Sequence, residues 1–262
     1  TNNSIIAVDE INGTFGELAG DIDGTSAGET LVLTKNYTNT DNYNIVIMYN
    51  IIIDGQSHTL DAQGKGRIFN IATSASVTLK NITFINGKLT ANEVGAAIYT
   101  TGDELILENC HFKNITSENG KGGAINADSG SVTVINSTFT NTSTKSHGGA
   151  IYGEYRANIN VINSTFTNTT AENNGGAIYS DGRVNISNST FTNTLSTNSK
   201  GGAIYINGAS VNVISSTFNN NTAENDGAAI YIYDGNITIS NSTFKSANAN
   251  GTSIIYIDRD CN

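Results

Sequence analysis

Apolar residues recur along the chain with the alternation of β-strands. Seven pairs of apolar residues, the members of each separated by one residue, precede an asparagine or serine by four and two positions. The pairs are Val77/Leu79, Leu105/Leu107, Val132/Val134, Ile159/Val161, Val184/Ile186, Val211/Val213 and Ile237/Ile239. Apolar residues at every second position are typical of a strand with one buried face, whereas a helix repeats every ~3.6 residues. The pattern therefore predicts seven short strands in one register.

A phenylalanine follows each pair at a nearly constant spacing. The seven are Phe84, Phe112, Phe139, Phe166, Phe191, Phe218 and Phe244, which lie 25 to 28 residues apart. Each ends a variant of Asn-Ser-Thr-Phe, and an asparagine or serine follows two residues later. Self-similarity at this period is the signature of a repeat architecture. The sequence therefore predicts a unit of about 26 residues that is repeated along the chain.

A third apolar segment completes each unit. The segment reads GGAIY or a close variant and occupies 95–99, 122–126, 148–152, 175–179, 201–205 and 227–231. Three short strands joined by sharp corners fit a coil in which each strand pairs with the same strand of the next coil, about 4.8 Å away. We therefore predict an all-β, right-handed parallel β-helix, a pectate-lyase-like solenoid of about nine coils, its hand following the usual crossover rule.

The first 29 residues break the repeat. Thr14 and Glu17 have the spacing of a capping box, and Phe15, Leu18 and Ile22 fall on one helical face. We expect a short amphipathic helix within an N-terminal cap, residues 1–29, that covers the open edge of a β-helix formed by residues 30–262. At the other end IIYIDRDCN stops within a coil, where we expect a continuation or a docking edge.

Asparagine at the corners has a physical reason. Asparagine tolerates the left-handed backbone of a sharp corner, and stacked side-chain amides can hydrogen-bond from coil to coil. Asn-Ser-Thr is also a glycosylation sequon. We interpret the column that precedes the phenylalanines as inaccessible corner residues, and we keep the loop sequon at Asn36 as a candidate acceptor.

The amino-acid composition limits the kinds of partner that the chain is expected to bind. The chain of 262 residues has no proline, no tryptophan and 27 glycines, and its 13 lysines and arginines leave a net charge of -10. Nucleic-acid binding needs clustered basic residues, and a membrane span needs about 20 consecutive apolar residues. Neither pattern is present in the sequence. We therefore expect no nucleic-acid partner, no membrane insertion and a monomeric module.

The two cysteines are predicted to stay apart. Cys110 takes the inward position that Ser137, Ser164 or Ser189 holds in later coils, so we expect a buried thiol. Cys261 lies five coils further on, beyond the ~7 Å between Cα atoms that a disulfide requires. The sequence predicts no internal disulfide.

Five tyrosines form the candidate ligand-binding column. If the isoleucine of each GGAIY segment points inward, the tyrosine that follows points outward. These residues are Tyr152, Tyr179, Tyr205, Tyr231 and Tyr256, while Asn126 separates Tyr99 from them. The column has two compatible interpretations, which are an exposed aromatic strip for glycans or proteins and a stacking ladder that stabilises the solenoid.

Carboxylates follow the tyrosines on three coils. Asp128, Glu154 and Asp181 would lie close together, where a Ca²⁺ ion could relieve their repulsion; as turn residues they would simply be solvated. Glycan hydrolysis needs a carboxylate pair held in a cleft, and no coil breaks the repeat to form one. His58, His111 and His147 occupy different points of the unit. We predict no catalytic site, no metal site and no cofactor.

Threonines give a further outward pattern. Stacked Thr-Phe-Thr segments at 138–140, 165–167 and 190–192 resemble the ice-binding surfaces of β-solenoids. Only these three coils carry the pattern before Asn219 and Lys245 interrupt it.

The ordered motifs resemble a known family. FGELAGDIDGTSAGETLVLTKNY, IIIDGQSHTLDAQG and the repeated NSTFTN and GGAIY segments resemble adhesin-like β-helix surface proteins of methanogenic archaea, and the repeats are similar to those of chlamydial polymorphic outer-membrane proteins. The resemblance implies a secreted or wall-attached, non-enzymatic adhesin that contacts glycans or proteins of other cells.

Two alternatives stay open beside the adhesin. Pectate-lyase-like enzymes share the architecture, so one alternative is a polysaccharide lyase or glycoside hydrolase with Asp128, Glu154 and Asp181 as the residues to suspect. No paired-aspartate, Gly-His-Gly or Arg-x-Lys motif of such enzymes is found. The other alternative is a passive stalk that spaces other domains.

Overall fold

The chain forms the predicted solenoid. A computed structural model describes residues 12–40, 42–250 and 253–258, and these residues wind into a right-handed parallel β-helix of about nine turns. Strands at equivalent positions of successive coils pair in parallel and build three sheets that run along the axis. The register joins Val132 to Ile159, Phe139 to Phe166 and Ile151 to Ile178, as the repeat predicts.

The Phe sheet contains the repeat phenylalanines and has 15 strands within the described residues. Its strands are Gly13–Thr14, Tyr37–Thr38, Thr59–Asp61, Thr83–Ile85, Lys88–Leu89, His111–Ser117, Thr138–Thr144, Thr165–Thr167, Thr170–Ala171, Thr190–Thr192, Leu195–Ser196, Thr217–Asn219, Thr222–Ala223, Thr243–Lys245 and Asn248–Ala249. The sheet bends after each phenylalanine, so most coils contribute backbone on both sides of the bend.

In the part of the chain that the structure describes, the other two sheets have nine strands each. The Val sheet consists of Thr30–Val32, Ile51–Asp54, Ser76–Lys80, Glu104–Glu108, Ser131–Ile135, Asn158–Ile162, Val184–Ser187, Ser210–Ile214 and Asn236–Ser240. The Tyr sheet consists of Ile45–Ile47, Phe69–Ile71, Ile98–Thr100, Ile125–Ala127, Ile151–Gly153, Ile178–Ser180, Ile204–Asn207, Ile230–Tyr233 and Ile255–Asp258.

A ladder of phenylalanine rings fills the interior. From Phe84 to Phe244 each ring stacks on the next, with centroids 4.6 to 4.8 Å apart and planes within 10° of parallel. This separation matches the spacing of the strands that carry the rings. Phe139 and Phe166 are fully buried and lie against inward isoleucines and valines of the other sheets. The repeat therefore builds one continuous apolar core.

Two columns of corner residues confirm the interpretation of asparagine. The column before the phenylalanines includes Asn136, Asn163 and Asn188, and that after them includes Asn141 and Asn168; their φ angles lie between 48° and 55°. The amide of Asn168 donates to Asn141 Oδ1 at 3.2 Å, and this ladder continues along the second column. The expectation that the first column is inaccessible is wrong, because most of its members are exposed. Their side chains point away from the core once the backbone turns the corner.

The predicted cap helix is present. The helix α1, Phe15–Asp23, begins with the capping box, in which Glu17 N–H donates to Thr14 Oγ1 and Thr14 N–H donates to the Glu17 carboxylate. Phe15, Leu18 and Ile22 are buried against the first coils. Residues 1–11 of the expected cap lie outside the described residues.

The Cys110 thiol is buried, as predicted. Its Sγ lies 3.3 Å from the carbonyl oxygen of Leu79, and burial raises the pKa of the thiol to about 12. Cys261 lies outside the described residues, so the absence of a disulfide stays a prediction. Within the described segments, no helix has the length and apolar character needed to cross a membrane.

Candidate functional site

The glycines before each tyrosine explain how the column is held. Gly175 has φ of +73°, and a Cβ on Gly176 would lie 2.0 Å from the carbonyl oxygen of Gly202. The first glycine therefore serves a left-handed corner and the second a close approach to the next coil. The pair delivers the strand Ile178–Ser180 to the Tyr sheet with Ile178 inward and Tyr179 on the outer side.

The five tyrosines form one stacked ladder. Ring centroids from Tyr152 to Tyr256 are 4.7 to 5.3 Å apart, and successive planes lie within 9° of parallel. Asn126 occupies the preceding position in register, and Lys121 places its Nζ 4.5 Å from the centroid of the Tyr152 ring. The stacking interpretation is confirmed, and the faces between neighbouring rings are closed to a ligand.

The ladder is not an exposed strip. Tyr152, Tyr205 and Tyr231 are 3%, 9% and 0% exposed, while Tyr179 and Tyr256 are half-buried. The sequence pattern was wrong on exposure because alternation describes only one strand. Alternation within a strand does not show which side chains of adjacent coils cover the outer face of that strand. Among these, His147 lies against Tyr179 with ring centroids 5.0 Å apart.

Carboxylates engage the tyrosine hydroxyls. The hydroxyls of Tyr152 and Tyr179 donate to Asp181 at 3.3 and 3.1 Å, and Asn207 Nδ2 donates to the same carboxylate at 2.7 Å. Further along, Tyr231 donates to Asp258 and accepts from Lys200 Nζ. Burial, followed by the nearby carboxylates, raises the pKa of these tyrosines, and the pKa of Tyr205 reaches about 12. The hydroxyls of Tyr152, Tyr179 and Tyr231 are thus hydrogen-bonded within the column.

Stability is expected to fall with rising pH above about pH 10, the ordinary pKa of tyrosine. In that range unfolded tyrosines lose protons that the folded ladder keeps, so the free energy of unfolding decreases until the folded tyrosines ionise. For Tyr205 the window ends near pH 12. The slope is about 1.4 kcal/mol per pH unit for each tyrosine whose pKa is raised, namely Tyr152, Tyr179, Tyr205 and Tyr231.

Urea unfolding at a series of pH values, with phenolate absorbance followed in parallel, measures this dependence. Tyr205→Phe is the control, because it keeps the stacked ring and removes one ionisable group. As the pH rises through this window, the free energy of unfolding of wild type should fall faster than that of Tyr205→Phe. A difference that stays constant from pH 10 to about 12 would contradict the assignment.

The three suspected carboxylates have separate environments. Register places Asp128, Glu154 and Asp181 on successive coils, as predicted. Glu154 pairs with Lys121 at 2.9 Å, Asp181 accepts from the tyrosines, and Asp128 is exposed. Among the described residues no group of three or more His, Cys, Asp or Glu side chains could hold a metal ion. These contacts disfavour both a shared Ca²⁺ ion and a catalytic carboxylate pair.

The histidines and threonines also have local partners. His58 contacts Asn36 Oδ1, His111 contacts Thr138 Oγ1, and burial, followed by Lys121, lowers the pKa of His147. The Thr-Phe-Thr segments align in register on three coils and their threonines are half-buried. Asn36 is half-buried too, and its Oδ1 accepts from Thr59 N–H, so the sequon there stays a candidate.

A groove that the sequence did not reveal runs along the bend of the Phe sheet. Two depressions of about 440 and 270 Å³ share Thr116 and Glu118 and together form what we call the axial groove. Its lining includes Gly64, Asn86, Gly87, Lys88, Asn114, Thr116, Glu118, Ser143, Thr144, Lys145, Thr170, Glu172, Thr197 and Asn198. These residues come from six coils, so the groove is roughly 24 Å long at the strand spacing.

The bend creates the groove. Asn114, Asn141 and Asn168 have left-handed backbone conformations, and the chain turns at each of them after the strand that carries the phenylalanine. The next outward side chains, Thr116 and Ser143, then form the floor, with their hydroxyls 3.0 Å apart. The signal was present as polar residues two positions after most of these asparagines, with Leu195 as the exception, but alternation alone does not show that the sheet bends there.

The wall of the axial groove is polar and nearly balanced in charge. Glu118, Lys145 and Glu172 alternate in sign on successive coils. Lys88 bonds to Glu118 at 3.0 Å and lowers the pKa of that carboxyl, and Asn198 donates to Glu172 at 3.1 Å. The groove thus presents hydroxyl, amide, ammonium and carboxylate groups distributed over its coils.

Comparison with known proteins supports the fold. A family model described as "Right handed beta helix region" matches residues 96–261. The matched range starts in the GGAIY-type segment at 95–99 and takes in the stacked tyrosines and most of the axial groove. A search of curated proteins found no match.

Proposed function

Because the chain belongs to the right-handed β-helix family, we propose that it is an extracellular, adhesin-like attachment module that binds glycans or surface proteins of other cells. The family's fold is shared by enzymes such as pectate lyase and by non-enzymes, so the fold alone assigns no activity. One observation carries the proposal, namely the axial groove that six coils build from repeated hydrogen-bonding side chains.

The groove suits an extended polymer that lies parallel to the solenoid axis. Ser143 and Thr170 present hydroxyls on successive coils, and Lys145 and Glu172 repeat beside them. A chain with a repeat close to the coil spacing of about 4.8 Å would meet a hydroxyl on each of the three coils that carry Thr116, Ser143 and Thr170. Many weak contacts in one direction give affinity by summation, as required for attachment.

The tyrosine column supports this surface from another sheet. We propose that Tyr152, Tyr179, Tyr205, Tyr231 and Tyr256 hold successive coils in register rather than contact the ligand through their faces. The stacked rings and the covered positions of Tyr152, Tyr205 and Tyr231 favour this role. A rigid solenoid keeps the groove straight, and a straight groove is what an extended polymer requires.

A non-enzymatic role fits the carboxylates better than catalysis does. Glycosidases hold two carboxyl groups at a fixed distance across the scissile bond. Here Glu154 is paired with Lys121, and Asp181 is bonded to two tyrosines and Asn207. Incubation with neutral and uronate polysaccharides in the presence of Ca²⁺ tests this point. Release of unsaturated or reducing ends would contradict the proposal and favour the enzyme alternative.

Thr170→Arg is expected to weaken binding to whole cells and to extracellular polysaccharides by at least about tenfold. The longer, charged side chain would fill the floor of the groove and displace several contacts, and about 1.4 kcal/mol suffices for a tenfold change. Titration of immobilised ligand with purified protein measures the effect. Thr167→Arg on the same coil is the matched control, because Thr167 lies outside the groove. Equal binding by both variants would remove the groove from the proposal, and no binding by the wild type would favour a passive stalk.

A further inference from the structure

One coil departs from the repeat at the turn between the Tyr and Val sheets. Ile151 pairs with Ile178 on the next coil, and Ile159 pairs with Val184. The segment from Ile151 to Ile159 is nevertheless two residues longer than the segment from Ile178 to Val184. The longer turn contains Tyr155 and Arg156, and the shorter one contains Gly182. A long turn beside a short one must leave a step on the surface.

The step forms an open depression of about 660 Å³. It is lined by Tyr155, Arg156, Asn158, Asp181, Gly182, Arg183, Gly208, Ala209 and Ser210. The long turn is closed by a hydrogen bond from Ala157 N–H to Glu154 O at 2.8 Å. It rests directly on Gly182, where a Cβ would lie 1.8 Å from the Ala157 carbonyl oxygen. Backbone contact therefore fixes the wall that carries Tyr155 and Arg156.

The two arginine side chains of this depression have no partner in the described part of the chain. This differs from Arg67, which lies outside the depression and donates to the carbonyl oxygens of Val94 and Gly95. Arg156 and Arg183 are exposed, and neither guanidinium makes a hydrogen bond or ion pair with the described part of the chain. Because the chain carries a net charge of -10, acidic groups are plentiful, yet none of the described ones pairs with either guanidinium. Both guanidinium forks are free to bind an external anion.

The other lining residues restrict what kind of anion fits. Tyr155 is 80% exposed and presents its ring at the rim, where an apolar ring face can pack against a sugar. Ser210 and Asn158 add a hydroxyl and an amide. Asp181 also borders the depression, with its oxygens already bonded to Tyr152, Tyr179 and Asn207. Its charge lies beside the two arginines and limits how many anionic groups the depression can hold.

We propose that this arginine pocket binds an acidic sugar, with the carboxylate or sulfate group on Arg156 and Arg183 and the sugar ring against Tyr155. The pocket lies at the turn between the Tyr and Val sheets, whereas the axial groove lies on the Phe sheet. The inference is independent of the proposed function, because the two sites use different residues and different chemistry.

Calorimetric titration with three probes tests the pocket. The probes are alginate oligosaccharides for carboxylate, dextran sulfate for sulfate, and dextran as the neutral counterpart of dextran sulfate. Wild type should bind one or both acidic probes and not dextran, and the affinity should fall as salt rises. Arg156→Gln and Arg183→Gln should each weaken binding by at least about tenfold, since a charge-assisted hydrogen bond is lost. Tyr155→Ala should weaken it and Tyr155→Phe should not.

Lys113→Gln is the charge-matched control, because Lys113 is an exposed lysine of the Phe sheet outside the pocket. It should leave the affinity within about twofold of wild type, as expected for a remote charge under salt screening. Binding of only one acidic probe identifies the anionic group. The proposal is overturned if neither acidic probe binds, if Lys113→Gln weakens binding as much as Arg183→Gln, or if a single-stranded DNA oligonucleotide binds as tightly as the acidic sugars.

Discussion

Replacement of Phe139 by alanine is expected to lower the free energy of unfolding by about 3–5 kcal/mol. Phe139 is fully buried, and its ring stacks on Phe112 at 4.6 Å and on Phe166 at 4.7 Å. The substitution removes apolar contact area and leaves a cavity between two coils that the strand spacing prevents from closing. Stacking energy with both neighbours is lost as well. Urea unfolding followed by circular dichroism gives the change.

Phe244→Ala is the matched control for the ladder. Phe244 is only half-buried, and among the described residues it stacks on Phe218 alone, at 4.8 Å. Truncation there should cost clearly less than at Phe139, because less area is buried and one stacking partner is missing. Equal losses at the two positions would show that the ladder does not act through burial and neighbour contacts. A loss below about 1 kcal/mol at Phe139 would contradict the close-packed core.

Gly176→Ala is expected to lower the free energy of unfolding by about 1–3 kcal/mol or more. The added Cβ would lie 2.0 Å from Gly202 O and 2.6 Å from Leu195 N. Both atoms belong to the backbone of the next coil, so no side chain can rotate away to relieve the clash. The two coils would have to separate locally, which weakens the hydrogen bond from Gly176 N–H to Gly201 O.

Gly20→Ala is the opposite case. Gly20 lies within the helix α1, and a Cβ there would meet nothing within 4 Å. Because alanine has the higher helix propensity, this variant should be more stable by about 0.5–1 kcal/mol. Thermal unfolding of both variants beside wild type makes the comparison. If Gly176→Ala unfolds at or above the wild-type temperature, the close approach of the coils is wrong.

Most of the fold could be predicted because one periodic pattern repeats it seven times. The spacing of Phe139 and Phe166 fixed which strands pair, and parallel pairing of equivalent positions follows once the corners are recognised. Asn163 revealed a corner because few other residues tolerate the left-handed backbone. Because the pattern occurs in seven copies, an irregularity in one copy does not obscure it. The pairing register of the strands could therefore be predicted more firmly than the bounds of any single strand.

The exposure of individual side chains could not be predicted in the same way. Tyr205 is outward in its own strand, yet it is 9% exposed because Tyr179 and Tyr231 stack on its two faces. The exposure of Asn163 was likewise misjudged, because the corner directs its side chain outward. Exposure depends on adjacent coils, and a pattern within one strand does not describe them.

The two candidate binding surfaces arise where the repeat is bent or broken. The axial groove follows from the bend after Asn141, and the arginine pocket follows from the longer turn at Tyr155 and Arg156. Regular positions maintain the scaffold, and the recognition we propose belongs to the departures from regularity. A search for columns of identical residues therefore finds the Phe and Tyr ladders before it finds either surface.

The most direct test of this account is one binding assay, on whole cells and extracellular polysaccharides, of wild type, Thr170→Arg and Tyr205→Ala at a temperature where all three are folded. The account predicts that wild type binds, that Thr170→Arg loses binding, and that Tyr205→Ala binds normally although it unfolds at lower denaturant concentration. The account would be contradicted if folded wild type bound nothing, or if Tyr205→Ala lost binding while Thr170→Arg kept it.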